Sequence, residues 1–278
     1  MTLKHSLADI VAAHIQKGRT ALPVFAGTRQ RLYALLRDEE FDLSEARAVI
    51  EQDAVLTSAL LRLANSTFFG GLEKVTRASE AVMRLGAKQV ANAVMMVGVK
   101  EQYKVRDNAL RELLDVLWRH SIACALGSRW LCGRLKRQDL QEEAFVAGLL
   151  HDIGKLFLLR VVDDLKASQA GFNPSSALVY ELMDSMHSRQ GAALLRKWNL
   201  PETYIRVVEH HHDPDFEDHD TLLIAVRLVD QACARVGISL TPDPEINLAA
   251  SSEAQALRVS DIQTAELEIE LEDAAELS

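Results

Sequence analysis

The sequence predicts an all-α protein folded as two helical lobes. Three observations point there. No stretch alternates apolar and polar residues between turn signals, as a half-buried strand would. Proline and glycine, which interrupt helices, number only 6 and 13 in 278 residues. Leucine and alanine are abundant while aromatics make up 5%, a balance that favours helix over sheet. With 48% hydrophobic residues, the chain has ample material for a buried core.

The elements follow in order. Leu7 to Ile15 forms a short amphipathic helix, and Leu22-Pro23-Val24 opens a second that runs through Leu32, Leu35 and Leu36. Asp42-Leu-Ser-Glu45 has the pattern of a capping box opening a helix with Ala46, Val49 and Ile50. Asp53 caps the next, whose stripe is Leu56, Leu60, Leu63 and Ala64 and which ends at Asn65-Ser66, before Gly70-Gly71. Ser79 is placed as the cap of a short helix stopping at Gly86, where a left-handed backbone costs little. A further helix carries Val90, Val94, Met95 and Val97.

The polar stretch 103–115 marks the boundary between lobes, so the first spans residues 1–105 and the second 106–238. Second-lobe helices are expected at about 111–135, 142–160, 176–198, 201–212 and 220–236, with Pro201 in the first turn of its helix. Residues 239–278 form an acidic extension that begins with Thr241-Pro-Asp-Pro244, which cannot continue a helix. A last helix, Val259 to Leu277, is capped by Ser260 or Asp261. Its apolar positions Ile262, Leu267, Ile269, Leu271 and Leu277 share no clean stripe, so weak docking or a partner contact is expected there.

Charge narrows the function classes. The net charge is −9. Residues 240–278 alone hold ten acids against Arg258, which leaves the preceding 239 residues balanced at thirty acids and thirty bases. A body without basic excess is a poor general binder of nucleic acid, and no DNA partner is expected. Cys124, Cys132 and Cys233 show no Cys-x-x-Cys spacing, which argues against a disulfide framework or a thiolate zinc site and suits a reducing cytoplasm. No apolar signal core opens the chain and no window approaches a membrane span, so a soluble cytoplasmic protein without a membrane partner is expected.

The most specific signal is in the histidines. Six of the nine fall in four places: His120, His151, His187 and the run His210-His211-His212. Asp152 follows His151 inside Gly148-Leu-Leu-His-Asp-Ile-Gly-Lys155, and Asp230 lies on the apolar stretch Val226-Arg-Leu-Val-Asp-Gln231. Imidazoles and carboxylates on successive helices are how a helical bundle builds a metal pocket, each ligand coming from a different wall. One or two divalent transition metals, iron, manganese, zinc or nickel, suit that donor set. Adjacent histidines of the 210–212 run stand about 100° apart on a helix, so at most one or two face a single pocket. If the protein is an enzyme, Lys155 is its candidate catalytic residue, there to steady phosphate charge; the alternative is that it pairs with a nearby acid at the surface.

Residues from about 20 to 235 resemble the HDOD family, signalling output domains of bacteria related to the HD phosphohydrolases. The first lobe carries the likeness in Leu22-Pro23, Ile50-Glu-Gln-Asp53, Leu60-Leu-Arg-Leu-Ala-Asn-Ser66 and Ala81-Val-Met-Arg-Leu-Gly86. The second carries it in Trp118-Arg-His-Ser121, Ala147 to Lys155, His187, Trp198-Asn-Leu-Pro201, His211-His-Asp-Pro214 and Asp230. The resemblance implies an HD-superfamily-like helical bundle in the second lobe and a place in signal transduction. It also implies metal ligation by His120, His151, Asp152 and Asp230, which match the superfamily's H…HD…D pattern. His187 and His211 or His212 resemble the extra ligands of the HD-GYP phosphodiesterases, but His212-Asp-Pro-Asp-Phe216 stands where Gly-Tyr-Pro would be.

Two functions are carried forward. One is an interaction module that meets a protein partner in a signalling pathway or a small ligand, with Asn65-Ser66 and Phe68-Phe69 as a candidate contact surface. The other is a metal-dependent phosphohydrolase acting on a nucleotide or cyclic nucleotide.

Overall fold

A computed structural model describes residues 6–18, 50–69, 73–102, 104–217 and 219–277. Among these there is helix and no strand. The helix opened at Leu22-Pro23 and the capping box at Asp42–Glu45 lie outside the described residues.

Helix α1 (Leu7–Gln16) starts where Ser6 and Asp9 bond reciprocally, side chain to backbone, and it packs on two second-lobe helices, α6 and α7 below. Helix α2 (Ala54–Ala64) is capped by Asp53, whose carboxylate accepts the N–H of Val55 and Leu56. Its stripe Leu56, Ala59, Leu60, Leu63 and Ala64 is buried against α3 (Ala78–Gln102). Helix α3 kinks at Gly86, where φ is 73°, as expected of the break there. It starts at Ala78 rather than after Ser79, because the Glu80 carboxylate accepts the N–H of Thr76 and Arg77 and closes the turn first.

Asn65-Ser66 and Phe68-Phe69, the expected contact surface, are buried or partly buried and also serve internal structure. The Asn65 amide clamps residue 75, donating to its carbonyl and accepting from its N–H, both at 2.8 Å. Ser66 donates to Leu63 O, both phenylalanines pack partly buried against the core, and Phe69 lies under the Arg129 guanidinium.

Much of the polar stretch expected to mark the lobe boundary is helical. Helix α4 (Asn108–Arg134) already starts at 108, capped by Asp107. The turn before it is fastened to α6 (Ile153–Ser168): the buried Asp163 carboxylate accepts the N–H groups of Arg106 and Asp107 at 3.1 and 3.0 Å and the Arg106 guanidinium at 2.9 Å. Helix α5 (Gln141–Leu150) meets α3 through Glu142, which accepts the side-chain amides of Gln89 and Asn92.

The single helix expected over 142–160 is in fact two, α5 and α6. Asp152, at φ −100° and ψ 13°, interrupts the ladder, and Lys155 N–H bonds back only three residues, to Asp152 O. A straight helix would hold residues 151 and 152 about 100° apart; the break turns both inward. Helix α7 (Ser176–Lys197) is capped by Ser175. Helix α8 (Glu202–His210) has Pro201 at its cap, one residue earlier than expected, and ends at His210. Helix α9 (Thr221–Arg235) is capped by Asp220.

The C-terminal segment holds a short helix, α10 (Ser252–Leu257), and α11 (Asp261–Ala275), which opens with a Ser260–Gln263 capping box. Docking of α11 is tight, against expectation. Thr264, Leu267, Leu271 and Ala274 recur at helical spacing and are buried against α4 and α9. A Cβ on Gly127 of α4 would stand 2.6 Å from a Leu271 methyl and 2.9 Å from one of Val229, so these side chains pack close over the glycine. Ile262 and Ile269 had hidden the stripe; both are exposed, on the opposite face. Arg134 and Arg235 pair with Glu266 and Glu268 and offset part of the acidic charge. No described helix is long and apolar enough to cross a membrane.

Candidate metal centre

Five parts of the second lobe converge on one pocket. His120 comes from α4, His151 and Asp152 from the α5–α6 break, His187 from α7, His211 and His212 from the end of α8, and Asp230 from α9. Two glycines allow the helices to close in. A Cβ on Gly148 would lie 2.4 Å from the Cys124 carbonyl oxygen of α4, and one on Gly154 would lie 1.9 Å from that of His187 on α7.

Four imidazoles are held in one state. The Nδ1 atoms of His120, His151, His187 and His211 face the carbonyls of Ile238, Gly148, Met183 and Val208 at 2.8, 2.8, 2.7 and 3.0 Å. A carbonyl only accepts, so each Nδ1 carries the hydrogen. Each ring then turns its Nε2 inward, the atom a neutral imidazole offers to a metal. These Nε2 atoms meet in pairs, His120 with His151 at 3.2 Å and His187 with His211 at 3.3 Å. Two facing lone pairs repel, which a proton or a cation between them would relieve; in the second pair the Ser188 hydroxyl also lies 3.2 Å from His187 Nε2.

Asp152 stands between the pairs. Its Oδ2 is 3.5 Å from the Nε2 of both His120 and His151, and its Oδ1 is 3.5 Å from the Nε2 of both His187 and His211. Asp230 joins the first pair, its Oδ1 3.2 Å from His120 and 3.8 Å from His151. Ligands about 2.1 Å from one ion stand roughly 3–4 Å apart, so these separations fit two ions sharing one carboxylate. Asp152 Oδ1 is buried and has no hydrogen-bond partner, an orphan that a cation would satisfy.

The electrostatics agree. Burial holds His187 down to about 4 and His211 to about 3, and it lowers His212 as well, so these rings are neutral near pH 7. Burial alone would raise both carboxyls. Lys155 and His151 outweigh it at Asp152, and His120 and His151 at Asp230, so both lie well below the usual carboxylate range. His120 is shifted well up: burial opposes protonation, and Cys124 and Asp230 outweigh it. A proton there occupies the place of a cation between His120, His151 and Asp230.

The remaining candidates are placed as follows. His212 stands at the exposed rim, its ring 5.0 Å from that of His187, and belongs to a group with Asp152, His187 and His211 whose ligand atoms lie within 4.8 Å of one another. His210 points away and pairs with Asp213. Lys155 does not reach free into the pocket; its Nζ is 2.7 Å from Asp152 Oδ2. Sequence reasoning missed Cys124, one turn after His120 on α4. Its Sγ lies 3.6 Å from His120 Nε2, 3.9 Å from Nδ1 and 3.6 Å from the Cys233 Sγ. The sulfur packs on the His120 ring, and with His120, His151 and Asp230 it forms a second group whose ligand atoms lie within 4.8 Å of one another. Burial pushes its thiol up, away from the thiolate. The i, i+4 spacing from His120 was the signal for this contact.

A cavity of about 480 Å³ lies elsewhere, between the lobes; the one opening on this centre holds about 380 Å³. His120, Asp152 and Lys155 form one wall of the latter, and Tyr180, Glu181, Asp184 and residues 239–241 line the rest.

Comparison with known proteins agrees with this architecture. The family model for the HDOD domain matches residues 22–214. An uncharacterized protein of Treponema pallidum (strain Nichols) is 29% identical over 208 residues, 73% of this chain and 40% of that protein. The chain thus spans about two fifths of that relative's length. Among solved structures, a protein of Shewanella amazonensis SB2B, provisionally named a metal-dependent phosphohydrolase, superposes with a TM-score of 0.77 at 19% identity, covering 98% of this chain and 97% of that one. An HDOD domain protein with unknown function from Geobacter sulfurreducens gives 0.71 at 22% identity, with 96% of each chain covered. A protein of Marinobacter aquaeolei VT8, provisionally named a signal transduction protein, gives 0.63 at 20% identity, covering 100% of this chain and 62% of that one. At these identities the likeness establishes a shared helical fold.

Proposed function

This chain belongs to the HDOD domain family, and on that premise we propose that it is a signal-transduction output domain built around a two-metal centre. The observation that carries the centre is Asp152, one carboxylate facing two pairs of inward Nε2 atoms. His120, His151, Asp230 and Asp152 Oδ2 would hold one divalent transition metal; His187, His211, His212 and Asp152 Oδ1 would hold the other. Iron, manganese, zinc and nickel suit these donors. Bound there, such ions supply hydroxide near neutral pH and polarise a phosphoryl oxygen. In this reading the signal passes through a protein partner, and the metals tie α4, α6, α7, α8 and α9 together in the folded state.

A second reading, hydrolysis of a phosphate ester such as a nucleotide, is favoured by one observation: the cavity exposes His120 and Asp152 to a ligand. Lys155 then acts through Asp152, holding it charged and oriented, rather than as a free phosphate clamp.

Elemental analysis of the purified protein, with turnover of a p-nitrophenyl phosphodiester by wild type and Asp152→Ala, tests both readings. About two metals per chain without turnover supports the output domain. Turnover abolished by the substitution supports hydrolysis. A protein that takes up no transition metal overturns the centre.

A further inference from the structure

The larger cavity, about 480 Å³, is not part of the metal centre. It lies between the lobes, where the end of α3 and the turn after it face α4 and α6. Its apolar floor includes Leu114, Trp118 and Leu156. Lys100, Lys104 and Arg111 stand around it, with Glu101 and Asp115 as the acids among the described lining residues. Lys100 Nζ is 5.4 Å from the centre of the Trp118 ring. Arg62 adds to the positive field, since its charge, after partial burial, holds Lys100 below the ordinary lysine value. The three lining cations outnumber the two acids, a slight positive excess that Arg62 reinforces.

The walls are preformed. Arg160 donates to the Lys104 carbonyl at 3.0 Å, and Arg106 and Asp107, just beyond the lining residue Val105, are fastened to Asp163 as described above. A cavity of this size suits a drug- or nucleotide-sized molecule. Its aromatic and aliphatic floor calls for an apolar body, and its cationic surround for negative charge.

We infer that this interlobe cleft is a second ligand site, one that takes a small aromatic anion between Trp118 and the Lys100, Lys104 and Arg111 cations. The site stands whether or not the metal centre binds metal. A ligand seated there would touch the helical turn that carries His120 and the residue after Lys155.

The test uses anilinonaphthalene sulfonate, a planar aromatic anion whose fluorescence rises on binding, with the full chain at neutral pH. Saturable binding to the native protein is expected, with affinity at least about tenfold weaker in the double variant Lys100→Glu, Arg111→Glu and unchanged in Lys74→Glu, a reversal of an exposed charge elsewhere. Lys100 and Arg111 are exposed, so folding is expected to survive and is checked by thermal unfolding. Quenching of tryptophan fluorescence by the probe should be largely lost in Trp118→Phe. Equal affinity in wild type and the double variant, or no saturable binding to the native chain, would overturn the site.

Discussion

The two halves of the candidate metal centre are built differently. The half around His120 and His151 faces two carboxylates, Asp152 and Asp230, and the His120 ring there is shifted well up, Cys124 and Asp230 outweighing burial. The half around His187 and His211 faces one oxygen of Asp152, and burial holds its rings neutral. A cation entering the first half meets more negative charge than one entering the second. The halves also rest on different packing. The first depends on the contact of α4 with α5 at Gly148, the second on that of α6 with α7 at Gly154. A two-ion centre of this kind should therefore fill in two steps, the carboxylate-rich half first.

The largest effect is expected where the halves meet. Asp152→Ala should weaken both steps of a manganese titration by at least about 100-fold, the upper end of what outer-shell substitutions cost metal sites. One step surviving at full affinity, followed by calorimetry, would show the halves to be independent. Next is Gly154→Ala, whose methyl would meet the His187 carbonyl. It should cost about 1–3 kcal/mol in thermal unfolding and remove the second step while sparing the first. Gly148→Ala should do the reverse, since its methyl would meet α4 close to His120.

Metal itself should stabilise the fold. At a hundredfold excess over its Kd, one ion adds about 2.7 kcal/mol. Asp230→Asn should remove that gain at the lower metal concentrations, and His187→Gln only at the higher. An identical melting shift in both variants would contradict the asymmetry.

The smallest effect lies outside both halves and serves as their control. Burial works to raise the Asp163 carboxyl, and the N–H groups of Asp107 and Arg106 with the Arg106 guanidinium outweigh it, so its value lies below that of a free aspartate. The stability it contributes is present above about pH 3.9, the unfolded value, and is lost as pH falls through the lower folded value. Asp163→Asn should flatten the acid limb of stability against pH, cost about 1–3 kcal/mol at neutral pH, and leave metal binding unchanged.

Much of this was legible in the residues. The caps at Asp53 and Ser260 and the break at Gly86 are local effects, fixed by side chains within a few positions of the backbone they serve. The ligand candidates were legible too, because histidine and aspartate in that order on apolar helices match the HDOD and HD pattern. Less was visible where long-range packing competes with local propensity. The periodicity of 142–160 continues through His151-Asp152, and only the demand that both face one pocket breaks the helix there. In α11 the exposed Ile262 and Ile269 obscure a stripe whose burial depends on α4 and α9, elements far away along the chain, with Leu271 packed over Gly127.

The sequence by itself determined that the chain is helical, where several helices begin, and which side chains are able to bind a cation, since propensity, capping and ligand chemistry belong to the residues themselves. Tertiary structure alone decided that Asp152 faces two pairs of imidazoles at once, that Lys155 turns back onto it, and that a basic cleft opens between the lobes. These are distances between groups far apart along the chain, and they are set by how closely the helices pack.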